Sequence, residues 1–160
     1  MKLRRLLGEQ LAWVFRVTLG VVFIVASLDK IAHPEAFAAG IANYHMVPLG
    51  LINLMAICLP WIEVVCGLLL VLGLWTRANL LVVNALLVVF IVAIVSALRR
   101  GLDISCGCFT TDPGAHAMTR WTLYWDIIWL GMGLHAMVLD RNLLSVTRLL
   151  RRTGATGETT

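Results

Sequence analysis

The sequence predicts an all-α integral membrane protein: a four-helix bundle with a short amphipathic surface helix between its first and second spans. Three observations carry this. Of 160 residues, 60% are hydrophobic and only 14% are charged, whereas about a quarter of a typical soluble domain is charged; most of this surface has to face lipid. Four apolar runs, about 11–28, 51–74, 78–98 and 121–139, are each long enough to cross a bilayer core of about 30 Å at about 1.5 Å per residue. The lysines and arginines gather at the ends of those runs, as topology determinants and headgroup contacts do. They form no dense patch with interleaved aromatics, so the lipid bilayer is the expected partner and nucleic acid is not.

The N-terminus carries Lys2, Arg4 and Arg5, and the first run is interrupted only by Arg16. No small-x-small cleavage site precedes the next polar stretch, so this run is expected to stay as a membrane helix and not to be cleaved as a leader. Asp29 and Lys30 close it. His33-Pro34-Glu35 starts a shorter helix: proline suits the first helical position and a glutamate suits the positive end of the helix dipole. Phe37, Ile41 and Tyr44 share one face of it. The segment is too short to span and is placed on the membrane surface, ending near His45 and Pro48.

The second span contains Pro60, which lacks a backbone donor and is expected to kink or break the helix. That puts Pro60-Trp61-Ile62-Glu63 at a bend within the bilayer. Gly67 and Gly73 permit close helix contact, and a tight turn is expected at Thr76-Arg77. The third span is almost pure Leu, Val, Ile and Ala, with Asn84 its one amide, and Arg99, Arg100 and the capping Gly101 end it. Asp112-Pro113-Gly114 marks a turn in the next loop, and Thr119 caps the fourth span. Trp121, Tyr124, Trp125 and Trp129 crowd the start of that span as an interfacial belt would. Residues 1–140 form the membrane domain; 141–160, basic and then polar, are expected to be a disordered tail.

Four spans place both termini on one side. With the termini cytoplasmic, that side holds Lys2, Arg4, Arg5, Arg77, Arg141, Arg148, Arg151 and Arg152, against Lys30, Arg99, Arg100 and Arg120 outside. The excess of positive charge inside favours this orientation. The expected location is the bacterial cytoplasmic (inner) membrane, with the loop between the third and fourth spans periplasmic or extracellular.

Charges within the spans point to chemistry or to architecture. Arg16 lies twelve residues before Leu28, and Glu63 twelve after Leu51, so counting from the outer ends puts both at one depth and predicts an ion pair. The pair would either lock two helices or relay protons or substrate; a protonated Glu63 is the other reading. Lys30 and Asp126 are expected to pair nearer the loop. His135 reads as a packed histidine. Cys58 and Cys66 are eight residues apart, about 12 Å along a straight helix and too far for a disulfide, so they read as core fillers.

Cys106 and Cys108 flank one glycine in the loop. Glycine allows the tight turn that brings both sulfurs into range, and a small exposed ring is strained and easily reduced. Lys30, Arg99, Arg100 and Arg120 favour a thiolate there, and Asp103 opposes it. The pair is thus a candidate redox couple. Soft-metal binding with His116 and Met118 and inert structural cysteines are the alternatives.

The order Phe23, Lys30, Pro34, Phe37, Tyr44, Pro48, then Pro60-Trp61-Ile62-Glu63 with Gly67, then Cys106-Gly107-Cys108-Phe109, then Asp126 resembles the MauE branch of the DoxX-like membrane proteins. The resemblance covers roughly residues 16–140. Thr110 stands where glycine usually follows the cysteine motif, and Trp125 where arginine is common before the aspartate. The resemblance implies a four-helix membrane protein associated with redox or disulfide chemistry, found beside thioredoxin-like proteins and linked to maturation of the periplasmic, disulfide-rich methylamine dehydrogenase.

Three functions are open at this level. The first is a membrane component of periplasmic thiol–disulfide exchange, with Cys106 and Cys108 as the reacting pair and a thioredoxin-like protein or a disulfide-containing periplasmic client as partner. The second is a non-enzymatic assembly factor or anchor, and the third a small transporter or metal handler. No cofactor or electron acceptor can be read from the residues.

Overall fold

The computed structural model describes the backbone of residues 2–102 and 120–139, with side chains for 8–102 and 121–139. Those residues form five helices: α1 (Lys2–Ala32), α2 (Pro34–Asn43), α3 (Leu49–Leu72), α4 (Thr76–Arg99) and α5 (Arg120–Leu139). Four stretches are long and apolar enough to cross a membrane: Gly8–Ala32, Leu49–Leu72, Thr76–Arg99 and Trp121–Leu139. The chain is a multi-pass membrane protein with an all-α bundle. The four long helices close a ring, α1 beside α3, α3 beside α4, α4 beside α5 and α5 beside α1, while α2 packs on α3 and α1.

Lipid as solvent explains what each face carries. Leu11, Val14, Val21, Val25 and Leu28 on α1, and Leu54, Ile57, Trp61, Val65 and Leu68 on α3, point outward. Arg16, Ser27, Lys30, Glu63, Thr76, Asn79, Asn84 and Asp126 are buried. In water this distribution would be inside out; in a bilayer, polar groups find partners only within the bundle. Ser27, for example, donates its hydroxyl to the Phe23 carbonyl at 2.6 Å, satisfying it on its own helix. Between the polar layers lies an apolar core of Leu19, Phe23, Cys66, Leu70, Leu80, Val83, Leu87 and Ala136.

Two glycines set how α1 meets α3. A Cβ placed on Gly20 would stand 2.7 Å from the Gly67 carbonyl oxygen, and a Cβ on Gly67 would stand 2.7 Å from that of Gly20. The backbones touch here, as small residues permit in membrane bundles. Gly20 also faces Val71, and Gly67 faces Ile24, which fixes the antiparallel register. α4 and α5 approach in a similar way, with the Asn84 amide lying against Gly133.

The helix ends differ from expectation in two places. Pro60 does not break α3, which runs on from Leu49 to Leu72 with Pro60 buried inside it; neighbouring helices make a proline tolerable within a span. The α3–α4 turn precedes Thr76 instead of using Thr76-Arg77. Gly73 (φ 71°) ends α3 with Leu74 N–H on the Leu69 carbonyl at 2.9 Å and Gly73 N–H on that of Leu70 at 3.1 Å, the paired bonds of a Schellman cap. Asn79 then donates to the Leu74 carbonyl at 2.8 Å and to that of Trp75 at 3.2 Å, so Thr76 can open α4. Gly101 (φ 65°) caps α4 in the same way, with Leu102 N–H on the Ala97 carbonyl at 3.1 Å.

Candidate functional site

Three ionisable side chains from three helices meet near the α2 end of the bundle. Lys30 comes from the last turn of α1, Glu63 from the middle of α3, and Asp126 from the first half of α5. All three are buried, at 3%, 2% and 6% exposure. The Lys30 ammonium donates to both Glu63 oxygens, at 2.9 and 2.8 Å. The same ammonium lies 5.2 Å from the centroid of the Phe37 ring and 5.2 Å from that of Phe90. Two electron-rich faces thus cover the cation on sides where water is excluded.

The expected pairing is corrected here. Glu63 is held by Lys30 and not by Arg16. The Gly20–Gly67 contact explains why: it sets Arg16 opposite the end of α3, some eight residues or about 12 Å from Glu63. Glu63 instead faces α1 roughly one turn below Lys30. Side chains lean toward the N-terminus of their own helix, so in an antiparallel pair Lys30 and Glu63 lean toward each other. Arg16 is fully buried at a separate level.

Asp126 is coupled electrostatically to Lys30 but does not form with it the ion pair expected from sequence; Lys30 pairs with Glu63. Its Oδ2 is buried with no hydrogen-bond partner among the described residues, as is Nε1 of Trp129 one turn along α5. Both line a cavity of about 40 Å³ together with Val22, Phe23, Ala26, Lys30, Glu63, Leu87 and Phe90. Tyr44, just after α2, adds a phenol that burial first and Asp126 second push up to about 12, so it remains a neutral group at any physiological pH. Arg100 donates to the Tyr44 carbonyl and, at 3.2 Å, to that of Ser96, tying the end of α4 to the end of α2.

A larger apolar cavity of about 330 Å³ lies beneath α2, between it, α3 and α4. Phe37, Tyr44 and Phe90 line it, so the rings that cover Lys30 also face this space.

Cys106, Cys108, Asp103, His116 and Met118 lie outside the described residues. Cys58 is exposed on α3 and Cys66 is buried in the core; both are free thiols. His135 sits edge-on to Phe15 at 5.2 Å, a packed ring as expected. Sequence reasoning missed the parts played by Phe37, Phe90 and Trp129. Phe37 is only 4% exposed: the apolar stripe of α2 faces the bundle. Among the described residues no group of three His, Cys, Asp or Glu side chains is placed to hold a metal ion.

The fold and this site define a multi-span helical membrane protein with a buried acid–base cluster under a short covering helix. The chain belongs to the MauE family: the family model described as methylamine utilisation protein MauE matches residues 8–139. It is 30% identical over 105 residues to the methylamine utilization protein MauE of Paracoccus denitrificans, covering 65% of this chain and 56% of that one. It is 32% identical over 106 residues to that of Methylorubrum extorquens, covering 65% and 57%, and 31% identical over 128 residues to that of Methylophilus methylotrophus, covering 79% and 67%. The matched regions thus span a little over half the length of the first two relatives. No solved structure matches the chain.

Proposed function

We propose that the chain is a membrane accessory of methylamine utilisation that carries out thiol–disulfide exchange for a periplasmic client, through Cys106 and Cys108. The observation that carries this is the Cys-Gly-Cys sequence in the segment joining α4 to α5, in a chain whose family bears the methylamine utilisation name. That segment leaves α4 beside Arg100, which binds the carbonyl of Tyr44 at the α2 end. The charge balance of the two faces supports a cytoplasmic-membrane protein with cytoplasmic termini and an outward-facing loop.

In the exchange, a client thiolate attacks one sulfur of the Cys106–Cys108 disulfide and a mixed disulfide forms. The second client thiol then displaces it. The client leaves with a new disulfide, and Cys106 and Cys108 are left as thiols. A thioredoxin-like partner restores the pair by the reverse exchange, its own disulfide being reduced. The bundle holds the loop at one membrane face, with Lys30–Glu63 as the tie between α1 and α3.

Alkylation with a mass tag in intact membranes, before and after mild reduction, tests the reading. Cys106 and Cys108 are expected to gain two tags together on reduction and to lose them on reoxidation, while Cys58 and Cys66 stay constant. A pair that keeps one state under both conditions excludes the exchange role. Metal that copurifies with the protein and is lost in Cys106→Ser would assign the pair to metal binding instead.

A further inference from the structure

The cluster at the α2 end contains one ammonium and two carboxyl groups, all at least nine-tenths buried. Glu63 uses both oxygens on Lys30, so that pair is complete. Among the described residues Asp126 is left with Oδ2 unpartnered, on a cavity where Nε1 of Trp129 is a donor without an acceptor.

With both carboxyls ionised the cluster would hold a net negative charge inside a membrane bundle, which is costly. No other described cation faces it. On α1, Arg16 is fourteen residues from Lys30, about 21 Å along the helix. From the α2 end the Tyr44 phenol approaches. On α4 the facing side chains are Leu87 and Phe90, and Arg100 is directed to the Tyr44 and Ser96 carbonyls. On α5, His135 lies more than two turns away against Phe15. Among the described residues nothing supplies the missing positive charge, and no group of three side chains there is placed to bind a metal ion.

We propose that Asp126 is a proton-binding site: its carboxyl carries one proton at neutral pH and shares the adjoining cavity with water and with the indole of Trp129. The cavity of about 40 Å³ exceeds the roughly 10–15 Å³ that one water requires. A water there accepts from Nε1 of Trp129. It also accepts the carboxyl proton, or donates to the carboxylate once that proton has left, so one molecule serves both states. Asp126 and Trp129 further line a second cavity of about 290 Å³ with Thr122 and Trp125, at the start of α5. The carboxyl therefore lies between a small pocket and a wider one, and its proton exchanges through the wider. The site holds one proton at the end of the bundle where α5 begins, and it stands whether or not the loop cysteines exchange.

Infrared spectroscopy of the full-length protein in lipid nanodiscs tests this. At neutral pH the wild type is expected to show the carbonyl stretch of a protonated carboxylic acid, shifting in D₂O. Growth on aspartate labelled with ¹³C at its side-chain carboxyl should move the band, and Asp126→Asn should remove it. A variant with Asp29, Asp103, Asp112 and Asp140 all replaced by Asn should keep it, which settles the assignment even if Asp126→Asn does not fold. A wild-type spectrum without the band, with or without a bound sodium or ammonium ion in its place, overturns the proposal. So does a band that ignores the aspartate label.

Discussion

Lys30→Met is expected to destabilise the bundle by about 3–4 kcal/mol, the lower part of the range of about 3–5 found when one partner is removed from a buried ion pair. The substitution keeps most of the side-chain volume but leaves Glu63, at 2% exposure, without the ammonium that both its oxygens accept from. The carboxyl can escape that cost by taking up a proton. From an ordinary glutamate value of about 4.3, neutralisation at pH 7 costs about 4 kcal/mol, which sets a ceiling. The sign of the pH dependence follows. The folded variant holds a proton that the unfolded chain releases above about pH 4.3, so its stability falls as pH rises and recovers by about 1.4 kcal/mol per unit on acidification. Glu63→Gln is expected to cost less, about 1.5–3 kcal/mol, the worth of charge-assisted hydrogen bonds, because Asp126 can then give up its proton and balance Lys30. The double variant Lys30→Met/Glu63→Leu should cost less than the sum of the single changes. Equilibrium unfolding in mixed detergent micelles between pH 5 and 8 measures all three. A Lys30→Met penalty under about 1 kcal/mol that is flat with pH would show that the pair does not hold α1 to α3.

The long helices were legible because lipid imposes a single rule on them: a run of about twenty apolar residues has to satisfy its backbone internally. The burial of Arg16, Glu63 and Asp126 was legible for the same reason, since a charge inside such a run must turn inward; that of Lys30, read as closing the first helix on the outer side, was not. Which charge meets which was not. Counting residues from the ends of two runs assumes that both helices enter at one level. Here the Gly20–Gly67 contact sets the register, and the first turns of α3 extend past the end of α1 to pack against α2. Sequence marks both glycines only as small residues; their contact is a tertiary fact. Phe37 and Phe90 were illegible as covers for Lys30, because a phenylalanine beside lipid and one over an ammonium look alike in sequence. As a helix breaker Pro60 misled in the opposite sense, because α3 continues through it once the surrounding helices hold the span.

Gly20→Ala is the second large effect, and its sign is decided by two opposed terms. Alanine in place of a helical glycine gains up to about 1 kcal/mol from the backbone. At Gly40 and Gly131, where a Cβ would meet nothing within 4 Å, that gain is expected to appear as a small stabilisation or no change. At Gly20 the new carbon stands 2.7 Å from the Gly67 carbonyl and 2.8 Å from a Val71 methyl. The methyl can turn aside; the carbonyl belongs to the α3 backbone and moves only if the helices part. Overpacking of this kind costs about 1–3 kcal/mol, so the net effect of Gly20→Ala is destabilising while those of Gly40→Ala and Gly131→Ala are not. Gly67→Ala should behave as Gly20→Ala does, because its Cβ meets the Gly20 carbonyl at the same 2.7 Å. Once either change has parted α1 from α3, the other carbon enters space already opened, so the double variant should cost less than the two single changes together. The parting also draws Lys30 from Glu63, since both pairs join the same two helices. Part of the cost should therefore be missing when Gly20→Ala is made in the Lys30→Met/Glu63→Leu background. Full additivity across these four positions would mean that the glycine contact and the ion pair act separately, and that the crossing does not set the register on which the charge cluster depends.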